Sequence, residues 1–82
     1  MGKLESILTT ILRGTSDQNI SFSDLTYVLE ALGFAVRIKG DHFIYTKQDV
    51  VEIVNLQPVG SQAKAYQVKQ VRALILKYKL AR

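Results

Sequence analysis

The chain reads as a small α+β domain, a two-layer sandwich of order α-α-β-β-β-α with its helices on one face of a three-stranded antiparallel meander. Three observations predict it. Apolar residues recur at helical spacing near both ends of the chain. Between Phe34 and Leu56 the apolar period changes to two. The turns inside that stretch, Gly40-Asp41 and Lys47-Gln48-Asp49, are too short to be anything but hairpin connections. Helices flanking a meander must bury their apolar stripes against one sheet face, which leaves the other face open.

Each element has its own warrant. Leu4, Ile7, Leu8, Ile11 and Leu12 form one stripe of a first helix, which Gly14 ends because glycine accepts the left-handed conformation at a helix terminus. Gly14 to Asn19 is a polar loop. A second helix opens at Ser21-Phe22-Ser23-Asp24, capped either by Ser21 or by Ser23 with Phe22 as a staple. It buries Leu25, Val28, Leu29 and Leu32 and stops at Gly33. The expected strands are Phe34–Lys39, His42–Thr46 and Val50–Leu56. Pro58 and Gly60 belong to the exit loop, and a last helix runs from about Ala63 to Leu80 with Val68, Val71, Leu74, Ile75 and Tyr78 inward. No repeat or low-complexity tract interrupts this order, so 1–82 is one domain, with residues 1–14 a helical extension of a 20–80 core.

Composition narrows the classes of function. A chain of 82 residues buries only about 60% of its unfolded surface, so the core is small. With 48% apolar residues it is too hydrophobic to stay disordered. The absence of cysteine excludes disulfides and thiolate metal sites and suits a reducing, cytoplasmic setting. No apolar run approaches the roughly 20 residues of a membrane span, and the amphipathic MGKLESILTTILRG with its Glu5 is unlike a signal peptide. No membrane association and no cofactor is expected. The net charge is +4 and unevenly spread: residues 1–32 carry two basic and four acidic side chains, residues 33–82 nine and three. A basic second part points to a polyanion or an acidic protein as partner.

The turn Lys39-Gly40-Asp41-His42-Phe43 holds the sole histidine of the chain. Histidine is the side chain whose ordinary pKa, roughly 6.5, lets it give or take a proton near neutrality. One histidine cannot build a metal site, which needs three or four convergent ligands. It can serve as general base or acid for RNA cleavage, where the 2′-hydroxyl is already in the substrate. Lys39 and Tyr45 are the candidate assisting residues. Parity along the strands, with Ile44 and Ile53 taken as core, turns Phe34, Val36, Ile38 and His42 toward the helices and collects Arg37, Lys39, Phe43, Tyr45 and Glu52 on the open face. Phe43 with Arg37 and Lys39 then forms an RNA-stacking surface, or Phe43 and Tyr45 simply pack across strands. On the last helix Lys64, Lys69 and Arg72 are candidate phosphate contacts, with a solvated helix face as the plainer reading.

The α-β-β-β-α core pattern resembles the double-stranded-RNA-binding fold. More specifically, Leu32-Gly33-Phe34, Lys39-Gly40-Asp41-His42, Asn55-Leu56-Gln57-Pro58-Val59-Gly60 and Ala63-Lys64-Ala65-Tyr66-Gln67-Val68-Lys69-Gln70-Val71-Arg72, in this order and spacing, resemble the HicA family of bacterial toxin–antitoxin systems. The resemblance covers nearly the whole chain, the N-terminal helix looking like the extension of a longer branch. It implies a metal-independent ribonuclease that degrades mRNA and arrests growth, a catalytic histidine at His42, and a HicB-type antitoxin that masks the active site. Members often carry a small hydroxyl residue and a second histidine where this chain has Asp41 and Phe43. A non-catalytic RNA-binding module and a protein-interaction domain of the same fold stand as alternatives.

Overall fold

A computed structural model describes residues 2–81; Met1 and Arg82, the ends of the expected 1–82 domain, lie outside the described residues. The first helix, α1, spans Lys3–Arg13 and ends at Gly14, whose φ of 76° is the left-handed conformation anticipated for it. The polar loop that follows contains a single 3-10 turn, Asp17–Asn19. Helix α2 spans Phe22–Ala31, and Ser21 is its cap: the Ser21 hydroxyl accepts from the Asp24 amide at 3.1 Å. Strands β1 (Ala35–Lys39), β2 (His42–Lys47) and β3 (Val50–Leu56) form one antiparallel sheet in the order β1-β2-β3. Helix α3, Ala65–Tyr78, closes the chain. The expected α+β order, open sheet and strand boundaries agree with this to within a residue or two.

The register sorts the sheet into two faces, because residues directly opposite one another share a face. One face carries the rows Val36–Tyr45–Val54 and Ile38–Phe43–Leu56; the other carries Arg37–Ile44–Asn55, Ala35–Thr46 and Lys39–His42. The helices cover the first. Tyr45, Val50, Val54 and Leu56 are buried in one cluster with Ile7 and Ile11 of α1, Leu25, Val28 and Leu29 of α2, and Val68, Val71, Leu74 and Ile75 of α3. Phe43 packs edge-on against Phe22, ring centroids 5.1 Å apart.

This reverses the face expected for β2 and β3. Ile44 is only half-buried and Ile53 is 61% exposed, whereas Tyr45 is fully enclosed. Both alternate sets of β2 contain apolar side chains, so parity alone cannot rank them. The larger apolar area of Phe43, Tyr45, Val54 and Leu56, together with Val50, decides which set faces the helices. A one-residue change of face turns every side chain over, so His42 moves with Ile44 to the open side.

Strand β1 differs from the other two. All five of its residues are exposed, including Val36 and Ile38, which do lie on the helix-side face as expected. Helix α3 packs over β3 and Phe22 of α2 packs on Phe43 of β2, whereas every residue of β1 stays exposed.

A second feature holds the helical layer together. Arg72 of α3 donates to both carboxylate oxygens of Asp17, at 2.8 and 3.1 Å, and to the Ile11 carbonyl at the end of α1 at 3.1 Å. The guanidinium thus closes the last turn of α1 and fixes the 3-10 turn in one contact. The paired Arg72 holds the Asp17 carboxyl below its ordinary range, outweighing its partial burial.

Candidate active site

The β1–β2 hairpin delivers His42. Its loop has two residues, Gly40 and Asp41, and only Gly40 takes a positive φ, 62°. That is the pattern of a tight II′-type turn, which matches strand twist and pairs Lys39 directly with His42 on the open face. The His42 side chain is 47% exposed. Its Nδ1 lies 3.1 Å from Asn55 Oδ1, across the β2–β3 pair. With the Asn55 amide oxygen facing the ring, Nδ1 is the donor of this pair, and in the neutral ring the lone pair then falls on Nε2. The Asp41 carboxylate stands 3.7 Å from Nε2, an ion-pair distance once the ring is protonated, and too long for a hydrogen bond. Asp41 is itself held: Gln57 Nε2 donates to its Oδ2 at 2.9 Å. That bond, the Asp41 backbone N–H and the His42 charge keep the Asp41 carboxyl below its ordinary range.

Lys39 and Arg37 share this face with His42. Among the described residues neither forms an ion pair. Beside them a groove is lined by Ala35, Val36, Arg37, Ile44, Thr46 and Ile53, all but Val36 residues of the open face. An exposed imidazole held at Nδ1, two cations without ion pairs among the described residues and a groove make a surface suited to proton transfer on a phosphodiester.

The remaining candidates fall elsewhere. Tyr45, expected on the open face, is a core residue whose hydroxyl lies near Thr26 but makes no well-formed hydrogen bond among the described residues. Burial, with the Glu30 charge adding to it, pushes its pKa up to about 12, so it is a poor proton donor or acceptor near neutrality. Phe43 turns to the helix side, half-buried against Phe22, and so does not present its ring on the open face. Glu52 also lies off the open face: it accepts from Lys77 at 2.7 Å and from the Tyr78 hydroxyl at 2.6 Å, pinning the end of α3 to β3. Arg72 spends its donors on Asp17 and Ile11, which explains it as architecture rather than as a phosphate contact. Lys64 precedes α3 with its ammonium 5.8 Å from the Tyr66 ring centre, and Lys69 is exposed on α3; both belong to the helical layer and not to the face of His42. Among the described residues no group of three or more metal-ligating side chains comes together. No helix among them is long and apolar enough to cross a membrane.

Asn55 and Gln57 were not anticipated as site residues. The signal for Asn55 is a polar residue in the otherwise apolar run Val50-Val51-Glu52-Ile53-Val54-Asn55-Leu56, and its partner emerges only once the register pairs Asn55 with Ile44, two residues from His42. Compared with family models, with curated proteins and with solved structures, the chain has no match.

Proposed function

We propose that this chain is a HicA-type toxin: a cytoplasmic, metal-independent ribonuclease acting on mRNA, built on a double-stranded-RNA-binding-like fold, with His42 as general acid and base. The observation that supports it best is the exposed His42 ring on the open face, with Nδ1 bound to Asn55, Nε2 outside any hydrogen bond among the described residues, and Lys39 paired opposite His42 on β1. In this reading Nε2 takes the proton of the ribose 2′-hydroxyl. The 2′-oxygen attacks phosphorus, the bond to the 5′-oxygen breaks, and that oxygen takes up a proton from the imidazolium or from water. The products are a 2′,3′-cyclic phosphate and a 5′-hydroxyl, so no metal or cofactor enters the balance. Lys39 and Arg37 offset the negative charge that builds on the phosphorane oxygens. Lys64 and Lys69, in the helical layer and off the His42 face, contact phosphates remote from the scissile one. Tyr45 and Phe43 have no part in it.

A HicB-type antitoxin is the partner this reading implies. It would mask His42 through an acidic surface matched to Arg37 and Lys39.

The Asp41 carboxylate favours a second reading. It places a negative charge beside Nε2, where a phosphate would have to sit, and is compatible with a domain that binds RNA without cutting it. One RNA and its fully 2′-O-methylated copy, incubated with the protein in EDTA, separate the two. The nuclease cuts the first, binds the second intact, and leaves cyclic phosphate ends. Binding of both with neither shortened removes the nuclease reading and leaves the binding module.

A further inference from the structure

Strand β1 is an unpaired sheet edge that no helix covers, and the arrangement of its side chains is selective. Arg37 and Lys39 point to the open face, while Val36 and Ile38 point to the other, where Ile38 is 60% exposed. Both faces and the free edge of β1 are therefore available at once. Isolated exposed apolar residues are ordinary. Two of them alternating with two unpaired cations along a free edge are a pattern.

A free edge invites a strand, and the charges restrict which strand. A second copy of this chain is disfavoured: antiparallel pairing of all five residues of β1 with themselves sets Arg37 directly against Arg37. Like charges opposed in a cross-strand pair are destabilising. The same cations favour an acidic neighbour in that position. On the other face Val36 and Ile38 favour an apolar one. Because side chains alternate along a strand, the occupant must alternate as well.

We infer that β1 accepts an extended segment of a partner protein in which acidic and apolar side chains alternate, added as a fourth strand at the sheet edge. The acidic side chains meet Arg37 and Lys39, and the apolar ones cover Val36 and Ile38. Backbone hydrogen bonds along the edge supply affinity that does not depend on sequence, and the alternating faces supply the choice of partner. This site is distinct from the Nε2 of His42 and holds whether or not the chain cuts RNA. An occupant would nevertheless cover Arg37 and Lys39 and so compete with RNA for the open face.

The probe is a short capped peptide of alternating valine and glutamate, titrated into isotope-labelled protein and followed by amide chemical shifts and hydrogen exchange. The expected result is shift changes concentrated in residues 35–39, new exchange protection along β1, and at least tenfold weaker binding for a valine–lysine peptide of equal length. Methylating the peptide's alternate backbone nitrogens should abolish the protection, and Ile38→Lys, at an exposed position, should weaken binding while leaving the rest of the spectrum unchanged. Shifts centred on Ile53 and Thr46, equal binding of the two peptides, unchanged binding after methylation, or no shift in β1 would each overturn the inference. Sedimentation that shows β1-dependent self-association of the free protein would do so too.

Discussion

Arg72 and Lys39 look alike in the sequence, each a cation near a turn or helix of the basic part of the chain, and the structure gives them opposite fates. Arg72 is mostly covered, with its donors committed to Asp17 and Ile11. Lys39 is exposed, shares a row with His42 and has no acidic partner among the described residues. In the helical layer Arg72 is spent on tying α1, the 3-10 turn and α3 together, whereas Arg37 and Lys39 on the open face have no carboxylate partner among the described residues. Charge count alone cannot distinguish the two, since what matters is which acceptors the fold brings within reach.

The largest expected effect belongs to the open face. His42→Ala should lower RNA cleavage by about 10²- to 10⁴-fold, the usual contribution of a general base, and leave the melting temperature nearly unchanged because the ring is half-exposed. Arg72→Ala should do the reverse. It leaves the Asp17 carboxylate without its partner and should cost about 2–4 kcal/mol, read as a fall in melting temperature of roughly 10–20 °C. If Arg72→Ala instead left stability intact and weakened RNA binding, the division between the two regions would be wrong.

Asn55 sharpens the comparison from within the site. Asn55→Ala frees the His42 tautomer and should lower kcat by about tenfold with little change in KM. Asn55→Asp still accepts from Nδ1–H and should retain turnover, an outcome that a merely structural role does not anticipate. Tyr45→Phe should leave cleavage unchanged and shift stability by no more than about 1 kcal/mol, since the buried hydroxyl it removes makes no well-formed hydrogen bond among the described residues.

The smallest effect at neutral pH concerns Glu52. Its carboxyl is lowered from 4.5 to about 2, chiefly by Lys77 and Tyr78. A folded value below the unfolded one contributes stability above the unfolded value and loses it as pH falls through the folded one. The urea midpoint should therefore drop between pH 4.5 and about 2, and Glu52→Gln should flatten that part of the curve.

Much of the fold was legible because its signals are local. The Leu4-to-Leu12 stripe, Gly14, the Ser21 cap and the Gly40-Asp41 turn each act within a few residues. The facing of β2 was not, because Ile44 competes with Phe43 and Tyr45 for the core and the choice rests on Val50, Val54 and Leu56 of the next strand. The Arg72–Asp17 tie spans 55 residues and leaves no local trace. His42 was identifiable by its chemistry, while Asn55, 13 residues away, became visible only through strand register.

The central claim is that an exposed His42 with a free Nε2 cuts RNA without a metal. The most direct test is one labelled mRNA in EDTA, incubated in parallel with wild type, His42→Ala and Tyr45→Phe. Cleavage by wild type and Tyr45→Phe, lost in His42→Ala, is the predicted result. Cleavage that persists in His42→Ala, or that disappears in Tyr45→Phe with the fold intact, would contradict it.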